Sequence, residues 1–128
     1  MTGAHVPPPG LRSQRLSADS EADALEMMFA RGWTDGLPVV VPTPERVEAM
    51  LTFSGGLDRD VVVGGVGPAD GEATVEKVAV NAVMAGCLPE HFPVVLAAVE
   101  AVVDPVFNLG AVQATTHCAG PTVIVSVV

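Results

Sequence analysis

The run TVIVSVV at residues 122–128 constrains the fold of this chain more than any other part of its sequence. All of its side chains except that of Ser126 are apolar or β-branched, and the printed sequence ends with it. A continuous apolar run of this length is typical of a β-strand that is buried on both faces. Such a strand needs neighbours, because an exposed apolar edge pairs with other chains. We therefore expect another chain to complete the sheet.

The overall composition points to the same conclusion. Hydrophobic residues make up 49% of the 128 residues, charged residues 16% and aromatic residues 4%, and valine is the most frequent residue. A single small domain leaves much of its surface exposed. This much apolar surface therefore exceeds what one core can bury, and we expect the excess to lie in an obligate interface between subunits.

Charge and targeting signals exclude several classes of protein. Fifteen acidic residues against six basic ones give a net charge of −9, whereas binding to nucleic acid or to an anionic membrane needs clustered Lys and Arg. No uncharged apolar run reaches the length of about 18 residues that a membrane span needs, and the first ten residues do not resemble a secretory signal. With two cysteines, the sequence indicates a reduced, cytoplasmic protein.

Apolar periodicity and turn residues predict short strands between helices. Residues 1–17 contain three consecutive prolines and no apolar periodicity, which predicts a flexible N-terminal arm or one that lies on a partner, whereas residues 18–128 are expected to form a single domain. The expected helices cover about residues 19–31, 44–54, 72–85 and 92–103, and the last of these is apolar all round and therefore buried. The expected strands cover residues 37–41, 61–63 and 122–128. This alternation predicts an α/β fold with short, mostly parallel strands flanked by helices and an incomplete sheet.

The segment QATTHCAGP at residues 113–121 is the best candidate for catalytic residues. His117 would serve as a general base near neutral pH, and Cys118 would be a nucleophile if its thiolate is stabilised. In the alternative, the threonines cap a turn and Cys118 is a small buried apolar residue. Adjacent side chains of an extended segment point to opposite faces, so His117 need not activate Cys118. The candidate substrate-binding residues of this segment are Gln113, Thr115 and Thr116.

A second group of candidates lies on the helix predicted to end near residue 85. Lys77 and Asn81 are four residues apart and share a helical face. Asn81 stands in an apolar stretch, where a mid-helix Asn is unfavourable unless it makes a specific hydrogen bond. We expect these two side chains to bind an anionic or carbonyl group of a substrate. Glu72 and Glu76 form another pair, which a solvated helix face explains.

Other sites receive no support from the sequence. Cys87 follows the end of the same helix, where the helix dipole opposes ionisation of the thiol, so a buried apolar role is expected. The spacing of His, Cys, Asp and Glu residues does not indicate a metal site within this chain. The alternative of a metal site shared with another chain stays open. The glycines at residues 64–67 lack the spacing of a dinucleotide-binding loop, and the cofactor is unknown.

Three parts of the chain resemble the N-terminal portion of the UGSC-like domain proteins, a bacterial family named for a motif with cysteine or selenocysteine. They are RGWTDGLPVV followed by PTPERVEAML, then GEATVEKVAVNAVMAGCLPEHFPVVLAAVEAVVDP, and finally VQATTH, within about residues 30–126. The resemblance implies half of a module, and this sequence contains no Cys-Gly-Ser-Cys string. The remainder would lie on a separate subunit. The matching positions, to which the resemblance assigns no roles, are Trp33, Asp35, Gly36, Glu72, Lys77, Asn81, Cys87, Gln113, Thr115, Thr116 and His117.

These observations predict the small subunit of a heteromeric bacterial enzyme that acts on a small organic molecule. Lyase, hydratase or hydrolase chemistry would take place at a site shared with the second subunit. Two alternatives stay open. A thiol redox protein would need Cys87 and Cys118 close together with lowered pKa values, and a purely structural subunit would tolerate replacement of the polar cluster.

Overall fold

The computed structural model describes residues 10–67 and 71–126. In these residues it contains five α-helices and one two-stranded sheet. The elements are α1 (Glu21–Ala30), α2 (Pro44–Leu51), β1 (Val62–Val66), β2 (Gly71–Thr74), α3 (Val75–Met84), α4 (Phe92–Val103) and α5 (Leu109–Ala114), with a short 3-10 helix at Pro89–His91.

Local signals in the sequence account for the ends of the first three helices. The side chains of Ser20, Thr43 and Thr74 each accept a hydrogen bond from the backbone N–H three residues later, which satisfies a donor that the first turn leaves unpaired. Gly32 and Gly86 follow the ends of α1 and α3 with φ values of 68° and 78°. Glycine adopts this left-handed conformation at no steric cost, which stops the helix there.

Helix α3 lies at the centre of the core. It packs against both α2 and α4, and α4 also covers β1. Val75 and Ala79 of α3 are fully buried, so this helix supplies the surface on which the neighbouring elements assemble. The buried cluster comprises Val47 and Met50 of α2, Ala73 of β2, Val75, Val78, Ala79, Ala82 and Val83 of α3, and Phe92 and Leu96 of α4.

The predicted α/β fold with mostly parallel strands is wrong. The sheet within the described residues has two strands, and they are antiparallel. Residues 72–74, which were expected to begin the third helix, belong to β2 instead, and Gly71 of β2 pairs with Val66. Parallel strands need a crossover of about a dozen residues or more. Residues 67–70 are too few for a crossover, but they suffice to connect a hairpin.

Two predicted strands do not form within the described residues. In the segment at 37–41, Pro38 has no N–H to donate to a neighbouring strand, and Pro42 follows the segment directly. The N–H of Val40 donates to the carbonyl of Met84, 3.1 Å away, instead of to a strand. Residues 122–126 form no strand either and are exposed, with Ile124 at 89%. Residues 127 and 128 of that predicted strand lie outside the described residues. Apolar composition favours a strand, but a strand also requires a paired neighbour.

The helix predicted over residues 92–103 is confirmed as α4, but its expected burial on most sides is wrong. Only Phe92 and Leu96 are buried in it, and Val94 is 44% exposed. The helix packs on α3 and β1 along one face, and the rest of its apolar surface lies open. None of the helices in the described ranges combines the length and apolarity that a membrane crossing requires.

Gly64 of β1 allows a test of how closely α4 approaches the sheet. A Cβ atom on Gly64 would lie 2.9 Å from Cβ of Val103 and closer still to its Cγ2. We expect Gly64→Ala to lower the free energy of unfolding by about 1–3 kcal/mol, the usual cost of overpacking a close contact. Urea denaturation of the purified protein measures this change.

Gly65, the next residue of β1, is the matched control, because a Cβ atom there meets nothing within 4 Å. Gly65→Ala is expected to leave the free energy of unfolding unchanged or to raise it slightly. Adding Val103→Ala should recover part of the loss caused by Gly64→Ala. Equal effects at the two glycines would contradict the close contact.

Candidate functional site

A cavity of about 790 Å³ lies between residues 11–18 and the helices α1, α2 and α3, and we call it the arm cavity. Ligand sites are typically concave and mostly apolar with a few polar groups that orient the ligand, and this volume falls in their usual range. The apolar side chains that line it include Leu11, Met27, Met28, Val41, Val47, Val80 and Met84. The residues with polar side chains in the lining are Ser13, Gln14, Arg15, Ser17, Glu45, Glu76 and Asn81.

Glu76 holds the N-terminal segment against α3. Its carboxylate accepts hydrogen bonds from the N–H of Arg12, 2.9 Å from each oxygen, and from the N–H and the hydroxyl of Ser13 at 2.6 and 2.5 Å. Only 2% of the residue is exposed. Burial raises the pKa of Glu76, but these hydrogen bonds and the charge of Arg59 outweigh burial and hold the pKa below its ordinary value. Glu76 is therefore ionised at neutral pH and fixes the first wall of the cavity.

Arg59 supports this arrangement from a second direction. Its guanidinium forms a two-point ion pair with Glu48, at 2.8 and 3.2 Å, and the hydrogen bond to Glu48 raises the pKa of Arg59 despite partial burial. The carbonyl of Arg59 accepts the N–H of Glu76 at 3.0 Å. A Cβ atom on Gly10 would lie 2.9 Å from Nη1 of Arg59. The segment that leads to the arm cavity therefore passes close over this ion pair.

Arg15 is the only cationic side chain among the described residues that line the arm cavity. Its three guanidinium nitrogens are buried, and none has a hydrogen-bond partner in the part of the chain that the structure describes. A buried charge without a partner costs several kcal/mol. An anion bound beside Arg15 would offset this cost.

Trp33 gives the arm cavity an aromatic surface. It lines the cavity and is the only tryptophan of the chain. The guanidinium carbon of Arg31 lies 5.3 Å from the centre of its ring, a cation–π contact that favours one position of the indole. A ligand in the cavity would change the surroundings of this single fluorophore.

The structure separates the two predicted groups of site residues. Asn81 lines the arm cavity, and its Nδ2 donates to the carbonyl of Lys77 at 2.8 Å. The expected hydrogen bond of Asn81 therefore forms, but within its own helix, and its Oδ1 is not used in it. Lys77 is exposed, and its Nζ donates to the carbonyl of Glu72 at 2.8 Å.

The other predicted site residues lie at and beyond the end of α5. Thr115 follows α5, and its hydroxyl accepts the N–H of His117 at 3.2 Å, which is the turn-capping role considered as an alternative. His117 and Cys118 are exposed, and Cys118 and the half-buried Cys87 are free thiols. In the described residues, no three His, Cys, Asp or Glu side chains are grouped so as to hold a metal. The candidates that do not line the arm cavity are Lys77, Gln113, Thr115, Thr116, His117 and Cys118.

Glu76 and Arg15, the two charged residues that matter most in the arm cavity, are not among the site residues predicted from the sequence. The solvated face expected for Glu76 is wrong, and a signal for its burial was present, because Val80 and Val83 follow it at spacings of four and seven residues on one helical face. Arg15 lies in an aperiodic stretch, RSQR, between Leu11 and Leu16. No local pattern distinguishes it from a solvated arginine.

The lowered pKa of Glu76 predicts an acid-sensitive fold. Because its pKa is lower in the folded chain, the stability it contributes is complete above its ordinary value of 4.5 and is lost as the pH falls through the folded value. We expect Glu76→Gln to lower the free energy of unfolding at pH 7 by about 1.5–3 kcal/mol, the range for hydrogen bonds to a charged group. The variant should also lose stability less steeply in acid.

Chemical denaturation at a series of pH values measures both effects, and trypsin cleavage after Arg12 and Arg15 reports release of the N-terminal segment. The control is Glu72→Gln, because Glu72 is exposed on β2 and an exposed carboxylate contributes little. If the free energy of unfolding of the two variants depended on pH in the same way, Glu76 would not be the group that holds the N-terminal segment against α3.

Neither a family model nor a curated protein nor a solved structure matches this chain. The likeness to the UGSC-like domain proteins therefore stays a prediction from the sequence strings.

Proposed function

We propose that this chain is the small subunit of a heteromeric bacterial enzyme, and that the arm cavity holds part or all of its small organic substrate. The observation that carries the proposal is the cavity itself. It has about 790 Å³ of space, an apolar wall, and a few polar groups on separate elements, which is the usual construction of a ligand site. The family resemblance supports the division into subunits.

Exposed apolar surface supports a second subunit. Val106 and Ile124 are 93% and 89% exposed, and Val123 and Val125 are more than half exposed. Burying one such side chain contributes roughly 1.5–3 kcal/mol, so burying several contributes an amount comparable with the stability of a small domain, about 5–15 kcal/mol. We expect the second subunit to cover residues 121–126, which can add to the edge of a sheet in the extended conformation.

The proposed chemistry is of the lyase, hydratase or hydrolase type. His117 would transfer a proton as general base or acid, Cys118 is the candidate nucleophile, and Lys77 and Gln113 would bind polar groups of the substrate together with the threonines at 115 and 116. These residues are not part of the wall of the arm cavity. In this proposal, docking of the second subunit assembles them with the bound substrate.

Occupancy of the arm cavity is tested by filling it. Ala24 lines the cavity from α1, whereas Ala22 of the same helix is exposed and does not line it. We expect small organic ligands to change the fluorescence of Trp33 and to raise Tm through preferential binding to the folded state. Ala24→Phe should abolish both responses, and the control Ala22→Phe should retain them. Equal responses in the two variants would show that the ligands bind elsewhere.

The role of His117 is tested in the assembled enzyme. Loss of a general acid or base typically lowers the rate about 10²–10⁴-fold, so we expect His117→Ala to lower kcat by this factor and to leave Tm unchanged, since His117 is exposed. The control for kcat is His91→Ala, which removes another exposed histidine; because Nδ1 of His91 accepts the N–H of Leu88 at 3.3 Å, a small loss of Tm is expected in this control. Turnover close to that of the unaltered enzyme would exclude His117 from catalysis.

A further inference from the structure

We propose that the ligand of the arm cavity is a small monocarboxylate, and that its carboxylate pairs with the guanidinium of Arg15. The inference rests on the proposed function in taking the arm cavity as a ligand site, and it adds the chemical class of the substrate. It concerns Arg15 in the arm cavity, to which the sequence analysis assigned no role.

The buried guanidinium of Arg15 is suited to bind a carboxylate. Its guanidinium nitrogens are buried and have no hydrogen-bond partner among the described residues. The planar fork of donors in a guanidinium matches the two oxygens of a carboxylate, and the resulting pair is stronger than a neutral hydrogen bond. Because the guanidinium nitrogens of Arg15 are themselves buried, such a pair gains more than one formed by a surface arginine.

The position of Arg15 in the chain is the second argument. Ser13, two residues earlier, is held by Glu76 through its N–H and its hydroxyl, so the backbone that carries Arg15 is anchored at the cavity. The guanidinium nitrogens are buried in the wall that Arg15 helps to form. Pairing with a ligand in this proposal requires the side-chain torsions of Arg15 to rotate until the guanidinium faces the cavity, while the anchored backbone stays in place.

The charges around the cavity restrict the ligand to a single negative charge. The carboxylate of Glu76 lines the same cavity as Arg15, the only cation in its described wall. The hydrogen bonds to Glu76 keep that carboxylate ionised. A dianionic phosphate would bring two negative charges into a cavity that already holds the carboxylate of Glu76, and like charges at short range oppose binding. A monocarboxylate avoids this repulsion.

The lining residues other than Arg15 and Glu76 indicate what is attached to the carboxylate of the ligand. Trp33 and the methionine and valine side chains offer apolar contact, which suits an alkyl or aryl group attached to the carboxylate. Asn81 uses Nδ2 to donate to its own helix, so its Oδ1 offers an acceptor for a hydroxyl or amide N–H of the ligand. The ligand is therefore an apolar acid, with a place for one further polar group.

The stability of the ligand-free protein gives the first test. If Arg15 serves a ligand, Arg15→Met removes an unpaired buried charge and should raise Tm by a few degrees. If Arg15 is a structural residue, the same change should lower Tm. The control is Arg12→Met, which keeps the backbone hydrogen bond to Glu76 and loses only an exposed ion pair with Asp60. A lower Tm for Arg15→Met than for Arg12→Met would overturn the inference.

Binding of matched probes gives the second test, by fluorescence of Trp33 and by calorimetry on the full chain. The probes are hexanoate and 3-phenylpropanoate, their uncharged amides, and hexyl phosphate. We expect the carboxylates to bind at least about tenfold more tightly than the amides, which is the scale of one charge-assisted hydrogen bond. Arg15→Met should abolish this preference, and Arg12→Met should retain it.

The outcomes separate this inference from the proposed function. If carboxylates and amides bind equally, or if Arg15→Met leaves the preference intact, the inference fails while the arm cavity remains a ligand site. If hexyl phosphate binds more tightly than hexanoate, the assignment to monocarboxylates is wrong. If no probe of either charge binds, both the inference and the use of the cavity as a substrate site are overturned.

Discussion

The buried carboxylate of Glu76 is the interaction on which the arm cavity depends. Glu76 lies in the first turn of α3, where the helix dipole favours a negative charge. Its carboxylate accepts hydrogen bonds from the N–H of Arg12 and from the N–H and hydroxyl of Ser13. The exposed ion pair between Arg12 and Asp60 adds little to this attachment. Because residues 11–18 contribute one wall of the cavity, loss of the Glu76 contacts would free that wall.

The two buried charges of this region differ in a way that bears on function. Glu76 is saturated with hydrogen bonds, whereas the guanidinium of Arg15 has no partner among the described residues. A chain selected for stability alone gains by replacing an unpaired buried charge with an apolar side chain. Functional sites often retain groups that cost stability, because the same group gains a partner when the ligand binds. Arg15 fits this second description.

The apolar surface left open by α4 and by residues 121–126 bears on the assembly. Helix α3 already packs against α2 and α4, and α4 buries only Phe92 and Leu96. The excess of hydrophobic residues in the composition is thus found on the outside of this chain, where a second subunit would cover it. In the proposed assembly, the same interface would cover the candidate residues near His117, which are exposed in the single chain.

Sequence by itself determined the features that depend on neighbouring residues. Thr43 as a cap, Pro44 as the first residue of α2 and the bounds of α4 were all predictable, because capping and helix periodicity act within a few residues. The pairing of β1 with β2 was not, since a short apolar run does not specify which strand lies beside it. Tertiary structure alone decided the burial of Glu76 and the burial of the Arg15 guanidinium without a hydrogen-bond partner among the described residues. Both features follow from the packing of residues 11–18 against α3. That contact joins positions more than sixty residues apart in the chain.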